Sequence, residues 1–459
     1  MNNLNFNIKH NLKLKILRSK ILRIKILKHK KFSKNNLNSL VSLNVLLLLI
    51  ASFLIFPLNA SAKSHELSFK DCIKELKENN SELVALNFEK KAAIHKIKAS
   101  KANFYPSLDA NIGAASNKVD KGKGNNEDSY NWGISLSQNL FNGFKDEATL
   151  NLAYANEAQN LANILVAEAK ISAELKQAFS EIVYYKNYLQ LSKKIVQRRK
   201  ENFEVVKLRY EAGNENKGSF LKSKAQLNEA EFELKQAKRT LEASKYNLAK
   251  ILGRNSIDNL NVKGSVPHTK IKISNTKIYL ETHPKLLLAK ANVALALANV
   301  KISNASDYPK IDAAVKSSTR GGSINKEIDH SIGINATAPL LTFGRNKNNI
   351  LEAESNLSSM KARETLSKQE IKSNVKLATS NYLSAKEKVM VDKMSREASE
   401  VRAEIGRNKY NIGLLTFENW DIIENDLISY QKSELKGKHN LIVSEANFEQ
   451  ALGLGVLND

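Results

Sequence analysis

The segment Tyr105-Pro106-Ser107-Leu108-Asp109-Ala110 returns as Tyr308-Pro309-Lys310-Ile311-Asp312-Ala313, 203 positions further on. Leu140 with Gly143 returns as Leu340 with Gly344, each followed by a basic residue, Lys145 and Arg345. Arg209-Tyr210 with Gly213 returns as Lys409-Tyr410 with Gly413, and Ile251-Leu252-Gly253 as Ala451-Leu452-Gly453, both 200 positions on. A repeat of this length is too long for a solenoid and makes the chain one large unit written twice. The copies span 63–253 and 276–453, with a linker at 254–275 and a short tail at 454–459.

Residues 1–62 stand apart from both copies. They carry 11 Lys/Arg and no Asp or Glu, followed by an apolar run from Leu40 to Leu58 and then Ala60-Ser61-Ala62. That order describes a secretory signal peptide cleaved after Ala62. The run is also long enough for an uncleaved membrane anchor, the alternative reading. The segment supplies nearly half of the net charge of +24. The remaining cations are interleaved with Glu, as in KKIVQRRKENFEVVK, rather than gathered with aromatics into a basic stripe. This pattern and export together argue against nucleic acid as a partner. The single cysteine, Cys72, excludes a disulfide framework and any Cys-rich metal site; it reads as a small buried residue of the first helix.

Four of the six prolines mark joints; Pro57 and Pro267 lie in the signal and the linker. Pro106 and Pro309 end the first helical stretch of each copy, Pro284 opens a helix, and Pro339 ends a strand-like run. None falls between Phe141 and Val266 or after Leu340, which leaves room for very long helices. A seven-residue walk through Leu161, Glu168, Leu175, Ile182, Leu189, Val196, Phe203 and Tyr210 is apolar at every step but one. A second, mixed walk runs through Ile164, Ile171, Ala178, Tyr185, Ser192, Arg199 and Val206. After Gly213, Leu227, Leu234, Leu241 and Leu248 partner Ala230, Ala237, Ser244 and Ile251. These are coiled-coil seams. A helix from Asp146 to Ala212 is about 100 Å long. Leu83–Tyr105 and Ser219–Leu252, stacked end to end and antiparallel to it, roughly match that length.

Between the helices the period changes from heptad to two. Leu108, Ala110, Ile112 and Ala114 alternate with small or polar residues, as do Tyr130, Trp132, Ile134 and Leu136. In the second copy Ile311, Ala313 and Val315 do the same, then His330, Ile332, Ile334 and Ala336. Runs of about nine or ten residues with this period suit membrane-spanning strands, and equally soluble hairpins with one buried face. Flanking helices of such length and the export signal favour the membrane. The lipid-facing candidates are Leu108, Ile112, Trp132, Ile134, Leu136, Ile311, Val315, Ile332 and Ile334. Four strands cannot close a barrel and an open edge cannot sit in lipid, so the chain is expected to oligomerise; three copies give about 12 strands.

The mature chain resembles the TolC-like outer-membrane efflux proteins. The likeness is carried by Leu67-Ser68 with Asn79-Asn80-Ser81-Glu82-Leu83, by His283-Pro284-Lys285-Leu286, and by both Tyr-Pro strand starts. Leu136-Ser137-Gln138-Asn139-Leu140-Phe141-Asn142-Gly143, Arg209-Tyr210-Glu211-Ala212-Gly213 and Ala451-Leu452-Gly453 complete it. The resemblance implies a mainly α fold with a small transmembrane β part: a homotrimer with a 12-stranded barrel in outer-membrane lipid and a long periplasmic helical tunnel. It implies the exit duct of a tripartite efflux pump or type I secretion system, passively passing cargo from an inner-membrane pump through a periplasmic adaptor. It also implies a periplasmic gate after the R-Y-x-x-G motif. Here Tyr410, Glu418, Asp421 and Glu424 are the candidates, the three carboxylates forming a ring in a trimer. The sequence departs from the family at the usual acidic position, which is Asn419. Lys217, Lys222 and Lys224 at the matching turn of the first copy offer the alternative of a salt-bridged helix face.

No HExxH, no G-x-G-x-x-G and no Walker lysine loop is present, and the histidines are scattered. No catalytic, cofactor-binding or metal-ligating residue is assigned. A periplasmic coiled-coil adaptor or scaffold without a pore is the other reading of the same helices.

Overall fold

The computed structural model describes residues 66–118, 126–258, 260–268, 278–322 and 326–457. The expected signal peptide and its cleavage after Ala62 lie outside the described residues, as does part of the linker. In chain order the elements are β1 (Glu66–Leu67), α1 (Phe69–Asn79), α2 (Ser81–Ala102), β2 (Ser107–Lys118), β3 (Asn126–Asn142), α3 (Lys145–Glu211) and α4 (Lys217–Leu252). Then come β4 (Asn261–Val262), α5 (Ile278–Glu281), α6 (Pro284–Asn304), β5 (Lys310–Gly322), β6 (Lys326–Thr337), α7 (Arg345–Asn411) and α8 (Phe417–Ala451). The two long helices have 67 residues each, about 100 Å at 1.5 Å per residue. Each lies in the proline-free stretch that permits it.

The helices form four rods. α2 stacked on α4 makes the first, α3 the second, α6 stacked on α8 the third, and α7 the fourth. α3 packs on α4, α2, α6 and α8, while α7 packs on α8 and α6. α6 with the turn after it (Pro284–Asp307) is long and apolar enough to cross a membrane by length and composition, yet it lies between α3 and α7 as a rod segment.

Burial along α3 differs from the expectation. Leu175 and Ile182 of the apolar walk are fully buried, but its ends, Leu161 and Tyr210, are exposed, and toward the far end of the helix the buried positions are Ser192, Arg199 and Val206 of the mixed walk. Side chains of α8 reach across to polar residues of α3: Asn425 and Asp421 meet Arg199. Lys176 pairs with Glu449 at 2.6 Å with both side chains nearly dehydrated, and Gln177 donates to Asn447. The α4 side of the seam follows the expected small residues: Ala230, Ala237, Ser244 and Ile251 are all buried.

Midway along the rods sits the main core, where Phe69, Cys72, Leu76, Phe179, Ile182, Leu248, Leu252, Leu260 and Val262 meet. The expected burial of Cys72 is complete, and dehydration raises its thiol pKa to about 12. An unforeseen two-residue parallel pairing, β1 with β4, ties the start of the first copy to the linker. The smaller counterpart in the second copy joins Leu286, Ile371, Val375, Phe448 and Leu452.

Both stacked rods are joined by one residue doing two jobs. Asn80 accepts from Leu83 N at 3.0 Å, capping α2, and donates to Ile251 O at 2.8 Å, closing the end of α4. His283, 203 positions on, accepts from Lys285 N through Nδ1 at 3.1 Å and lies 3.2 Å from Ala451 O through Nε2. The lower helix ends at Gly253 or next to Gly453, both with positive φ. A Cβ on Gly253 would stand 2.2 Å from Asn79 O, so this position requires glycine for space as well as for φ.

Replacing Gly253 by Ala is therefore expected to cost about 2–4 kcal/mol. Gly264 has a similar φ of 84° with nothing within 4 Å, and Gly264→Ala is expected to cost about 1 kcal/mol. Thermal unfolding of the two variants in detergent compares them. Equal losses would mean that the approach to Asn79 contributes nothing.

Candidate functional site: an apolar sheet face and a charged helix tip

Two places carry the candidate residues, at opposite ends of α3. At one end is a four-stranded antiparallel sheet in the order β2-β3-β5-β6. The strands have 12, 17, 13 and 12 residues, longer than the alternating runs. The ladder continues into the polar stretch read as loop, where Asp128 pairs with Ser116 and Asn126 with Lys118.

Directly opposed residues of antiparallel strands point to the same side. Leu108 faces Leu136 and Ile112 faces Trp132; Leu136 faces Val315; Val315 faces Ile332 and Ala313 faces Ile334. All nine apolar candidates therefore fall on one face. Ile112 is 90% and Ile332 85% exposed, and only Ile311 is half-buried. The other face carries Asp109, Asn111, Ser135, Asp312, Lys316, Arg320, Asp329 and Asn335. From Leu108 to Ala114 the apolar band is about 20 Å tall. β2 and β6 are edges with one side unpaired within the chain.

A bulge at Leu140, between Asn139 and Phe141, shifts the register of β3 against β5 two residues before their pairing ends at Asn142. There the chain turns into α3 through two consecutive left-handed residues, Gly143 (φ 67°) and Phe144 (φ 66°). The second copy uses Phe343 (φ 47°) and Gly344 (φ 84°). With α3 starting at Lys145 and α7 at Arg345, Gly143 corresponds to Phe343 rather than to Gly344 as the sequence matching expected. Glycine at the first position is required by contact: a Cβ on Gly143 would lie 2.7 Å from Ala305 O and from Tyr308 Cβ. Phe141, Phe144 and Tyr308 close edge to face around this point. Asp146, in the first turn of α3, accepts from Asn139 at 2.7 Å and Asn142 at 2.8 Å, fastening strand to helix. In the second copy Asn346 donates instead, to Ser306 O at 2.8 Å.

At the other end, α3–α4 and α7–α8 are joined by equivalent turns. Asn214 N bonds to Arg209 O and Leu414 N to Lys409 O, both at 2.8 Å, with Gly213 and Gly413 left-handed; this is the wide helix-ending bond that glycine favours. Asn216 and Thr416 cap the helices that follow. Tyr410 is fully buried. It stacks on Trp420 at 4.1 Å, lies edge-on to Phe417, and has the Arg209 guanidinium 4.9 Å over its ring. Its hydroxyl donates to Glu215 of the first-copy turn at 3.0 Å. Burial, then this bond to Glu215, pushes the phenol pKa well up.

The three candidate carboxylates do not share one surface. Glu418 is exposed, whereas Asp421 and Glu424 are buried. Asp421 pairs with Lys222 at 2.7 Å and accepts from Gln226 at 2.7 Å, with Arg199 3.8 Å away. Glu424 accepts from Asn202 at 3.3 Å and lies 3.6 Å from Arg198 and 3.9 Å from Arg407. Burial pulls the pKa of Arg199 down, against the pull of both carboxylates. Of the three first-copy lysines, Lys222 is the one that meets a candidate carboxylate. Arg199, Arg209, Glu215 and Trp420 complete the cluster and were not singled out as site residues. A charged residue on a coiled-coil seam, as Arg199 is, was the available signal. Among the described residues there is no group of three or more His, Cys, Asp or Glu placed to hold a metal.

Among solved structures, the chain is similar to the outer membrane protein VceC of Vibrio cholerae, with a TM-score of 0.73 at 19% identity, covering 84% of this chain and 96% of that one. It is similar to the CmeC outer membrane channel of Campylobacter jejuni, with a TM-score of 0.74 at 15% identity over 85% and 87%. A third is the open state of the MtrE outer membrane channel of Neisseria gonorrhoeae, with a TM-score of 0.71 at 18% identity over 85% and 90%. At these identities the likeness is one of fold. Comparison with curated proteins gives no match. A family model described as outer membrane efflux protein matches residues 72–254 and 277–454, both copies and most of the chain. With this sheet at one end of the rods and this match across both repeats, the chain belongs to the outer membrane efflux protein family, placed in the outer membrane with a large periplasmic helical part.

Proposed function

We propose that three copies of this chain form a passive exit duct, in which β6 of one copy pairs with β2 of the next to close a 12-stranded barrel. The observation that carries this reading is the open sheet with an apolar outer face. In lipid every backbone N–H and C=O needs a partner, so two bare edges demand neighbours. The nine apolar residues then face lipid and the polar face lines a lumen, whose width suits about a dozen strands. The rods continue the lumen on the periplasmic side. Energy comes from an inner-membrane pump, reached through a periplasmic adaptor, in a tripartite efflux or type I secretion assembly. The chain itself performs no chemistry.

The tip is proposed as the periplasmic closure. Tyr410 and Asp421 bind the second-copy turn to Glu215, Arg199 and Lys222 of the first, so parting the copies there requires breaking these contacts. Glu418, exposed beside them, is the carboxylate left to meet passing cations.

Purified protein is expected in outer-membrane fractions at the native mass of three chains, with steady ion conductance in planar bilayers. A monomer released by osmotic shock would replace the duct by a periplasmic scaffold. Tyr410→Phe keeps the ring stack and removes the bond to Glu215, a loss of about 1.5–3 kcal/mol for a bond to a charged group. Its single-channel open probability is expected to rise about tenfold or more; an unchanged value removes Tyr410 from the closure. Glu418→Gln is expected to weaken block by divalent cations on the periplasmic side, with Lys217→Gln as the control that leaves block in place.

A further inference from the structure

The joint between α6 and α8 is built on a titratable residue where the first copy uses an amide. Asn80 and His283 occupy equivalent places and make the same two contacts, one to the start of the upper helix and one to the end of the lower. An amide carries a fixed acceptor and a fixed donor. An imidazole imitates it only in one form: neutral, with the proton on Nε2 facing Ala451 O and a bare Nδ1 accepting from Lys285 N. A second proton must go to Nδ1, the atom that caps α6. The donor of Lys285 would then face another donor, and a cation would sit at the positive end of a 21-residue helix.

The surroundings give that cation no relief. His283 is 4% exposed and borders a cavity of about 400 Å³ between α3, α6, α7 and α8. The charged residues lining it are Lys170 from α3 and Lys285 from α6 itself; α7 contributes Ile371 and Asn374, and α8 Asn447, Gln450 and Ala451. Lys170 is engaged by Glu82 and Glu174, and none of the described residues lining the cavity is a carboxylate. A Cβ on Gly453 would stand 2.3 Å from Pro284 Cδ and 3.2 Å from His283 Cδ2, so the ring is held closely in place.

We propose that His283 makes the α6–α8 joint a proton-sensitive hinge: protonation at Nδ1 uncaps α6 and loosens the second-copy rod, while the first-copy rod, closed by Asn80, is indifferent to pH. Burial, and behind it the charge of Lys285, hold the His283 pKa below its ordinary value, with the bond to Ala451 O opposing. The sign follows. A histidine depressed in the folded state contributes stability that is present above its unfolded pKa of about 6.5 and is lost as pH falls toward the folded value. Mild acid therefore weakens one joint of the two. α8 runs from this joint to the tip, so the loosened element is the one that carries Trp420, Asp421 and Glu424.

Amide exchange read by mass spectrometry on the full protein in detergent, at pH 7.5 and pH 5 and corrected for intrinsic rates, tests this. Peptides covering 283–290 and 446–454 are expected to lose protection by about tenfold for each unit of pKa depression that the pH change traverses, while those covering 80–87 and 248–254 stay constant. His283→Asn, which installs the first-copy device, is expected to remove the pH difference and keep the protection. His439→Gln, at a half-buried histidine of α8 whose pKa is also lowered by burial, is expected to leave the difference intact. Equal responses of both joints, no response in the natural protein, or a response that survives in His283→Asn would each overturn the proposal. If His283→Asn does not fold, the comparison of the two joints within the natural protein still decides.

Discussion

A helix about 100 Å long presents more surface than its own sequence can cover. Helical stability in proteins comes mainly from packing one face against neighbours, and here that cover has to extend over nearly 20 turns. The solution is to lay two shorter helices end to end beside each long one. This creates two joints where backbone groups would otherwise lie bare. Asn80 and His283 each satisfy an upper N-terminus and a lower C-terminus at once, and the mid-length core of Phe69, Leu76, Phe179 and Leu252 gathers round the first joint. The sheet at one end and the tip at the other hold their positions because these joints keep the rods in line.

The seams between rods differ in chemistry. Within the first copy, α3 meets α4 over Ala230, Ala237 and Ser244, small residues that allow close approach. Between the copies, α3 meets α8 through Lys176–Glu449, Ser180–His439, Arg199–Asn425 and Asn202–Glu424. A buried ion pair such as Lys176–Glu449 contributes little net stability compared with apolar packing, yet breaking one partner costs about 3–5 kcal/mol. They fix register sharply: a slide of α8 by one turn, about 5.4 Å, would leave each of these groups facing the wrong neighbour. The first-copy pair is thus bonded by shape, and the copies are bonded to each other by specific polar matches.

The parts legible in the sequence were those set by local periodicity and by breakers. Prolines and the change from a seven-residue to a two-residue period located the long helices and the strands, because both act over neighbouring residues. The apolar face of the sheet followed from alternation alone. The burial of Arg199 on α3 did not, since it is sustained only because α4 and α8 bring Gln226, Asp421 and Asn425 to its guanidinium. The tip shows the same limit. Spacing put Glu418, Asp421 and Glu424 roughly on one side of a helix, while their environments are decided by Lys222, Asn202 and Arg407, residues many turns away in the chain. The shifted match of Gly143 was hidden because each copy places two neighbouring left-handed residues at this turn, with the glycine first in one copy and second in the other.

The unpaired margins of β2 and β6 also bear on how the molecule reaches its place. A lone chain carries an apolar sheet that water disfavours and bare peptide groups that lipid rejects, so neither phase accepts it as it stands. In the proposed trimer, insertion and association are then one event, with the subunits meeting before or during passage into the bilayer. Until that moment the sheet is the part of the newly exported chain most in need of a chaperone, and the part most prone to pair with the wrong strand.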